Sequence, residues 1–131
     1  MQDSIFTKII NKELPCYKIA ENNNFIAFLD IVPLKKGHTL VVPKIQVDYI
    51  YDLPDKVLSD LFIFSKKIAK KIESVIDCKR IGVAVIGLEV PHAHVHLVPI
   101  NEISEMNFQN QRIELNKEDF QNIRDKIIES S

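Results

Sequence analysis

Long apolar runs, cysteine and a surplus of either charge are all missing from this sequence. No run approaches the ~20 apolar residues that a membrane-crossing helix needs, which argues against a membrane protein. Cysteine occurs only at Cys16 and Cys78. Two are too few for a disulfide framework, and they read as free thiols in a reducing compartment. The formal net charge is −1, which argues against a protein that tracks along a nucleic-acid polymer. The basic cluster Lys66, Lys67, Lys70 and Lys71 has helical spacing and reads as a solvated helix face. A small anionic ligand stays compatible with this balance, since it needs only a local pocket. The opening stretch "MQDSIFTKIINKE" has no uninterrupted apolar core of the kind a secretory signal carries, so a cytoplasmic setting is expected.

What is present fits one soluble domain spanning residues 1–131. The length allows an ordinary core, and 46% hydrophobic against 27% charged residues is a globular balance. In "SIFTKIINKE" the residues Ile5, Phe6, Ile9 and Ile10 have the spacing of a short helix. "YKIAENN" and "FIAFLDI" read as two strands turned by "ENNN". "GHTLVVPK" is a third strand, opened by Gly37 and closed by Pro43. Residues 54 to 77 give the strongest helical pattern, with Leu58, Leu61, Phe62, Ile68, Ile72, Val75 and Ile76 on one face and Pro54 in the first turn. "RIGVAVIG" and "HAHVHLVPI" make strands four and five. Residues 101 to 116 are polar and irregular, and a last helix over 117 to 129 is capped by Asn116. The order predicts an α+β fold: a mostly antiparallel five-stranded sheet, one long helix, and short N- and C-terminal helices.

Histidine is also scarce, and its distribution is uneven. Of four histidines, three fall within five residues of "PHAHVHLVPI". In a strand, residues i, i+2 and i+4 share a face at ~3.3 Å rise per residue. His92, His94 and His96 are therefore expected to form a ladder on a face open to chemistry, with Ala93, Val95 and Leu97 turned towards the core. Three readings fit such a ladder: imidazoles on an exposed surface, a zinc site, or a nucleophilic site in which one imidazole attacks while others orient it and bind an oxyanion.

The run His92-Ala93-His94-Val95-His96-Leu97-Val98 matches the pattern His-φ-His-φ-His-φ-φ, with φ apolar. Upstream, "AFLDI", "P" and "GHTLVVPK" follow in order. On these residues, over roughly residues 4 to 100, the chain resembles the histidine triad (HIT) family. The resemblance implies a HIT-like fold and attack on a nucleotide α-phosphorus, with His94 forming a covalent nucleotidyl-histidine. It implies that His96 bonds the non-bridging phosphate oxygens, that His92 orients the ladder, and that His38 stands beside the nucleophile. Asp30 would accept from the ribose hydroxyls, while Ile5, Phe6, Ile9, Phe28 and Ile31 wall the base. Read from the residues alone, Asp30 is equally a turn former and the apolar residues equally plain core. No metal is implied in the chemical step, no cofactor is expected, and a homodimer is. The activity so implied is hydrolysis of purine nucleoside phosphoramidates to nucleoside monophosphate and amine. Diadenosine polyphosphate hydrolysis, or nucleotide binding without turnover, are the alternatives.

Two departures from the family pattern stand out. Some members hold a structural zinc through Cys-x-x-Cys, a histidine after "PK" and the first triad histidine. Here those first three positions read Ser4, Thr7 and Gln46, so no structural zinc is expected. Before the triad, Leu88-Glu89 stands where Gln-Ser is usual, and no Asn lies between Lys79 and Pro91. Gly87 keeps its place and would let backbone approach the phosphate. Glu89 is either a solvent-exposed loop carboxylate or one that would face a cationic amine leaving group or help protonate it.

Overall fold

The computed structural model describes residues 2–130. Five strands, β1 (Lys18–Glu21), β2 (Phe25–Leu29), β3 (Thr39–Pro43), β4 (Arg80–Ala84) and β5 (Val95–Ile100), form one sheet in the order β1-β2-β3-β5-β4. Every pairing is antiparallel. Three helices accompany it: α1 (Ile5–Ile10), α2 (Asp55–Val75) and α3 (Lys117–Glu129). This is the expected α+β architecture. Asn116 caps α3 as predicted, its side chain accepting from the Asp119 amide while Asp119 reciprocates.

The sheet is covered on both faces at its centre. Phe25, Ala27, Leu29, Val41, Val95 and Leu97 pack with Leu61, Ile68 and Ile72 of α2 and with Phe120, Ile123 and Ile127 of α3. The opposite face carries Ile26, Phe28, Leu40 and Val42, closed by Phe6 of α1. Every residue of β2 and β3 is therefore buried, which is why "FIAFL" and "TLVVP" read as continuous apolar runs rather than alternating ones. Burying Phe6 fastens the short α1 to the sheet by about 2 kcal/mol, and Ser4 caps its N-terminus by accepting from the Thr7 amide.

The structure corrects several sequence expectations. Phe62 is 43% exposed and leaves the buried stripe of α2, which runs through Leu61, Ser65, Ile68 and Ile72. Ile76 lies beyond the last turn with extended backbone, and Pro54 is the residue before the helix rather than part of its first turn. Strand β4 ends at Ala84, so Val85 to Gly87 fall outside it. A 3-10 turn at Ile103–Met106, with a capping box from Glu102 and Glu105, occupies part of the segment read as irregular. Another forms at Ile50–Asp52.

The first two triad histidines also precede strand β5 instead of lying in it. Strand β3 ends at Pro43, which has no N–H to continue the ladder. Main-chain pairing passes instead to Val47, whose carbonyl accepts from the Ala93 amide at 2.7 Å. The alternation of faces survives this change of partner, because Ala93, Val95 and Leu97 remain in the core.

Gly37 opens the approach to β3 with φ +92, and a Cβ there would stand 3.2 Å from both Ile76 Cγ1 and Pro99 Cγ. Gly37→Ala combines left-handed backbone strain with that crowding and is expected to cost about 1–3 kcal/mol. Chemical denaturation at neutral pH checks this; a midpoint equal to the parent's would show that the turn before His38 relaxes freely.

Candidate active site

All four histidines come together, and all four are buried: His38 at 1% exposure, His92 at 0%, His94 at 6% and His96 at 9%. The expectation of an open ladder face is thus corrected, since α1 and the segment around Phe108 cover it. Phe6 meets His94 edge-on at 4.9 Å and His92 at 5.8 Å. Phe108 meets His96 at 4.7 Å and His38 at 6.1 Å.

The hydrogen bonds fix where each ring carries its proton. His94 Nδ1 donates to the His92 carbonyl at 2.8 Å. Its Nε2 has no hydrogen-bond partner among the described residues, and no fully buried side-chain nitrogen there lacks one, so Nε2 opens to solvent with its lone pair free. The Leu34 amide donates to His38 Nδ1 at 3.0 Å, which places the His38 proton on Nε2. That Nε2–H donates to His96 Nδ1 at 3.0 Å, and the His96 proton then sits on its Nε2 as an outward donor. His92 differs: its Nε2 donates to the Pro43 carbonyl at 2.7 Å and its Nδ1 accepts from the Ser4 hydroxyl at 2.7 Å. Both nitrogens of His92 are spent on structure.

Two clefts lie near the histidine cluster, one lined by Phe6, which packs on His94, and one lined by His94 itself. One, of about 310 Å³, is lined by Ile5, Phe6, Ile9, Phe28, Asp30 and Ile31 among others, so every residue proposed from the sequence to surround a nucleoside lines a single cleft. Ile31 is 67% exposed and Ile5 50%, leaving apolar surface for a flat ligand. Asp30 is a turn former here: its Oδ1 accepts from the Val32 amide at 2.9 Å, while its Oδ2 lies 3.5 Å from His38 Nε2. The other cleft, of about 340 Å³, joins His94 to Gly87, Leu88, Asp48, Tyr49 and Tyr51. Gly87 therefore lies away from the Asp30 cleft, with φ +78 and open space where a side chain would point.

A family model described as HIT domain matches residues 11–103. The chain belongs to the HIT family. Its relatives include a HIT-like protein of Borreliella burgdorferi, 40% identical over 106 residues and covering 76% of each chain. Adenosine 5'-monophosphoramidase HNT1 of Saccharomyces cerevisiae is 38% identical over 97 residues, covering 72% of this chain and 61% of the yeast protein. Among solved structures, a Hit-like protein involved in cell-cycle regulation from Bartonella henselae superposes with a TM-score of 0.85 at 28% identity, covering 98% of this chain and 96% of that one.

This HIT chain differs from those family members that hold zinc. Ser4, Thr7, Gln46 and His92 do converge, but as a hydrogen-bonded joint. Gln46 Oε1 accepts from the Ser4 amide at 2.8 Å and from the Thr7 hydroxyl at 2.7 Å, and Gln46 Nε2 donates to the Gln2 carbonyl at 2.8 Å. Two hydroxyls, an amide and an imidazole already bonded at both nitrogens do not make a zinc donor set. Asp30, His38 and His96 do bring ligand atoms within 4.8 Å of one another. The His38 nitrogen among them is the protonated donor to His96, not a free lone pair.

Sequence reasoning missed Phe108 and Arg112 of this HIT chain. Arg112 lies over the Phe108 ring at 5.5 Å and donates to the Val32 carbonyl at 2.9 Å. Both sit in a polar stretch with no periodicity to single them out.

Burial keeps the histidines neutral. Desolvation pushes His38 and His96 down to about 3, helped by the repulsion that a protonated neighbouring histidine would exert and by the Arg112 charge. His92 and His94 are lowered for the same first reason, with hydrogen bonds to carbonyls opposing. Asp30 is raised by burial, against the Val32 amide bond and Arg112. Because folded His38 and His96 bind protons only near pH 3, against an ordinary imidazole value of 6.5, the unfolded state holds more protons between those limits. Their contribution to stability is fully present above that ordinary value and is lost as pH falls towards about 3. Asp30 acts in the opposite sense over the carboxylate range. The denaturant midpoint is expected to fall between about pH 7 and pH 4.5, and His38→Gln to flatten the slope. A midpoint constant over that range would contradict a buried neutral pair.

Proposed function

We propose that this protein hydrolyses purine nucleoside phosphoramidates, releasing a nucleoside monophosphate and an amine. The observation that carries the reading is His94: a neutral ring whose Nδ1–H is spent on the His92 carbonyl at 2.8 Å, which leaves the Nε2 lone pair as that ring's nucleophilic atom. Phosphoramidases among its relatives, one of them 38% identical, support the same reading. In it, the Asp30 cleft takes the nucleoside, with Asp30 accepting from the ribose hydroxyls and Phe6, Phe28, Ile5, Ile9 and Ile31 holding the base. His94 Nε2 attacks the α-phosphorus, an N–P bond forms, and the P–N bond to the leaving amine breaks as the amine gains a proton. His96 Nε2–H bonds a non-bridging oxygen, and His38 holds His96 in the tautomer that can do so. Water then attacks the phosphorus, the nucleotidyl-histidine opens, and His94 returns neutral. The task is positioning and charge stabilisation.

The Gly87–Leu88 cleft beyond His94 receives the leaving group. Glu89 is exposed, and its charge weakly opposes the burial that lowers His94 and adds weakly to the burial that raises Asp30. An acidic group next in sequence to the Leu88 that lines this cleft suits an amine that departs with a proton. The working protein is a homodimer in this reading, supported by the unpaired edge of β4 and by Val83, Phe62 and Ile63, at 55%, 43% and 53% exposure.

Release of AMP and amine from adenosine 5′-phosphoramidate tests the reading. Turnover is expected in the parent and a loss of more than ~10³-fold in His94→Ala and His94→Gly. No turnover in the parent, with hydrolysis of diadenosine polyphosphate instead, would move the activity to that branch; binding without any turnover would leave a nucleotide-binding module. Glu89→Gln is expected to lower kcat/KM for amine-bearing leaving groups more than for amine-free ones. An equal effect on both classes rules out its contact with the amine.

A further inference from the structure

Arg112 joins two parts of the site that are far apart in sequence. Its Nη1 donates to the Val32 carbonyl at 2.9 Å and its Nη2 to the Phe108 carbonyl at 3.2 Å. The next amide, Ile113, donates to the Pro33 carbonyl at 3.1 Å. Val32 is also the residue whose amide holds Asp30 Oδ1, at 2.9 Å. One short turn, residues 30–34, is thus gripped from outside by residues 112–113 and from inside by the carboxylate it presents. At its far end the Leu34 amide bonds His38 Nδ1 at 3.0 Å. Phe108, at the other end of the grip, packs its ring against His96 at 4.7 Å.

We propose that Arg112 is a positioning residue for ribose recognition: it clamps the Asp30–Leu34 turn to the segment that backs the His38–His96 pair, and so fixes where the Asp30 carboxylate meets the ribose diol. This rests on the proposed nucleotide reading of the Asp30 cleft. A guanidinium suits the task because it bridges two carbonyls from one rigid fork. Its charge also acts in the right direction on every neighbour it reaches, favouring ionised Asp30 and neutral His38 and His96. The turn needs such support, since Ile31 and Val32 are 67% and 53% exposed and pack little of their own surface.

The test is calorimetric binding of AMP and of 2′,3′-dideoxy-AMP to the parent, Arg112→Ala, Arg112→Lys and Asp30→Asn. Arg112→Ala is expected to weaken AMP about tenfold or more, the order of one charge-assisted hydrogen bond, and to leave the dideoxy nucleotide unchanged. Arg112→Lys should recover part of the loss, as one ammonium can reach one carbonyl but not span both. Adding Arg112→Ala to Asp30→Asn should weaken AMP no further. Equal weakening of both nucleotides would overturn the proposal in favour of a general structural role, and so would an unchanged affinity for AMP. If the parent binds AMP, either of those results leaves the nucleotide reading standing; a parent that binds neither nucleotide removes both.

Discussion

Main-chain groups decide the protonation of the histidine cluster, and the rest of the site depends on that decision. The Leu34 amide, the Pro43 carbonyl and the His92 carbonyl each claim one nitrogen of His38, His92 and His94, and His38 in turn claims His96. An imidazole that is neutral and fixed in one tautomer has one donor and one acceptor, aimed in known directions. Burial enforces neutrality, and the backbone enforces direction. The result is an exposed lone pair on one ring beside an outward N–H on the next, with no charged side chain needed between them.

This arrangement explains why the fold devotes both sheet faces to different work. The α2–α3 face is a conventional apolar core. The α1 face is mixed: Phe6 and Phe28 pack at 5.7 Å, and Phe6 also touches the rings of His92 and His94. Packing and chemistry share the same aromatic, so the short N-terminal helix acts as both wall and cover for the histidines. The covering of the histidines is also what lowers their proton affinity.

Much of this was legible in the sequence, for physical reasons that differ by element. The strands announced themselves because central strands buried on both faces read as unbroken apolar runs. The cap at Asn116 was legible because capping is local. Phe62 was misplaced because periodicity counts apolar residues without saying which way the helix is turned, and Phe62 sits next to Leu61 and so ~100° around the axis. The triad's entry into the sheet was misread because Pro43, on another strand, ends the ladder. Arg112 was invisible for a related reason: its partner Val32 lies 80 residues away. Ser4, Thr7 and Gln46 were read only as missing metal ligands, whereas they form a bonding set of their own. Local rules report what a residue lacks more readily than what it meets.

That bonded set changes how the protein tolerates its surroundings. A joint made from hydroxyls and an amide has no thiolate to oxidise and no ion to surrender, and neither Cys16 nor Cys78 belongs to it. The anchoring of α1 to the triad is therefore indifferent to peroxide and to metal starvation, conditions under which a thiolate–metal joint in the same place would come apart.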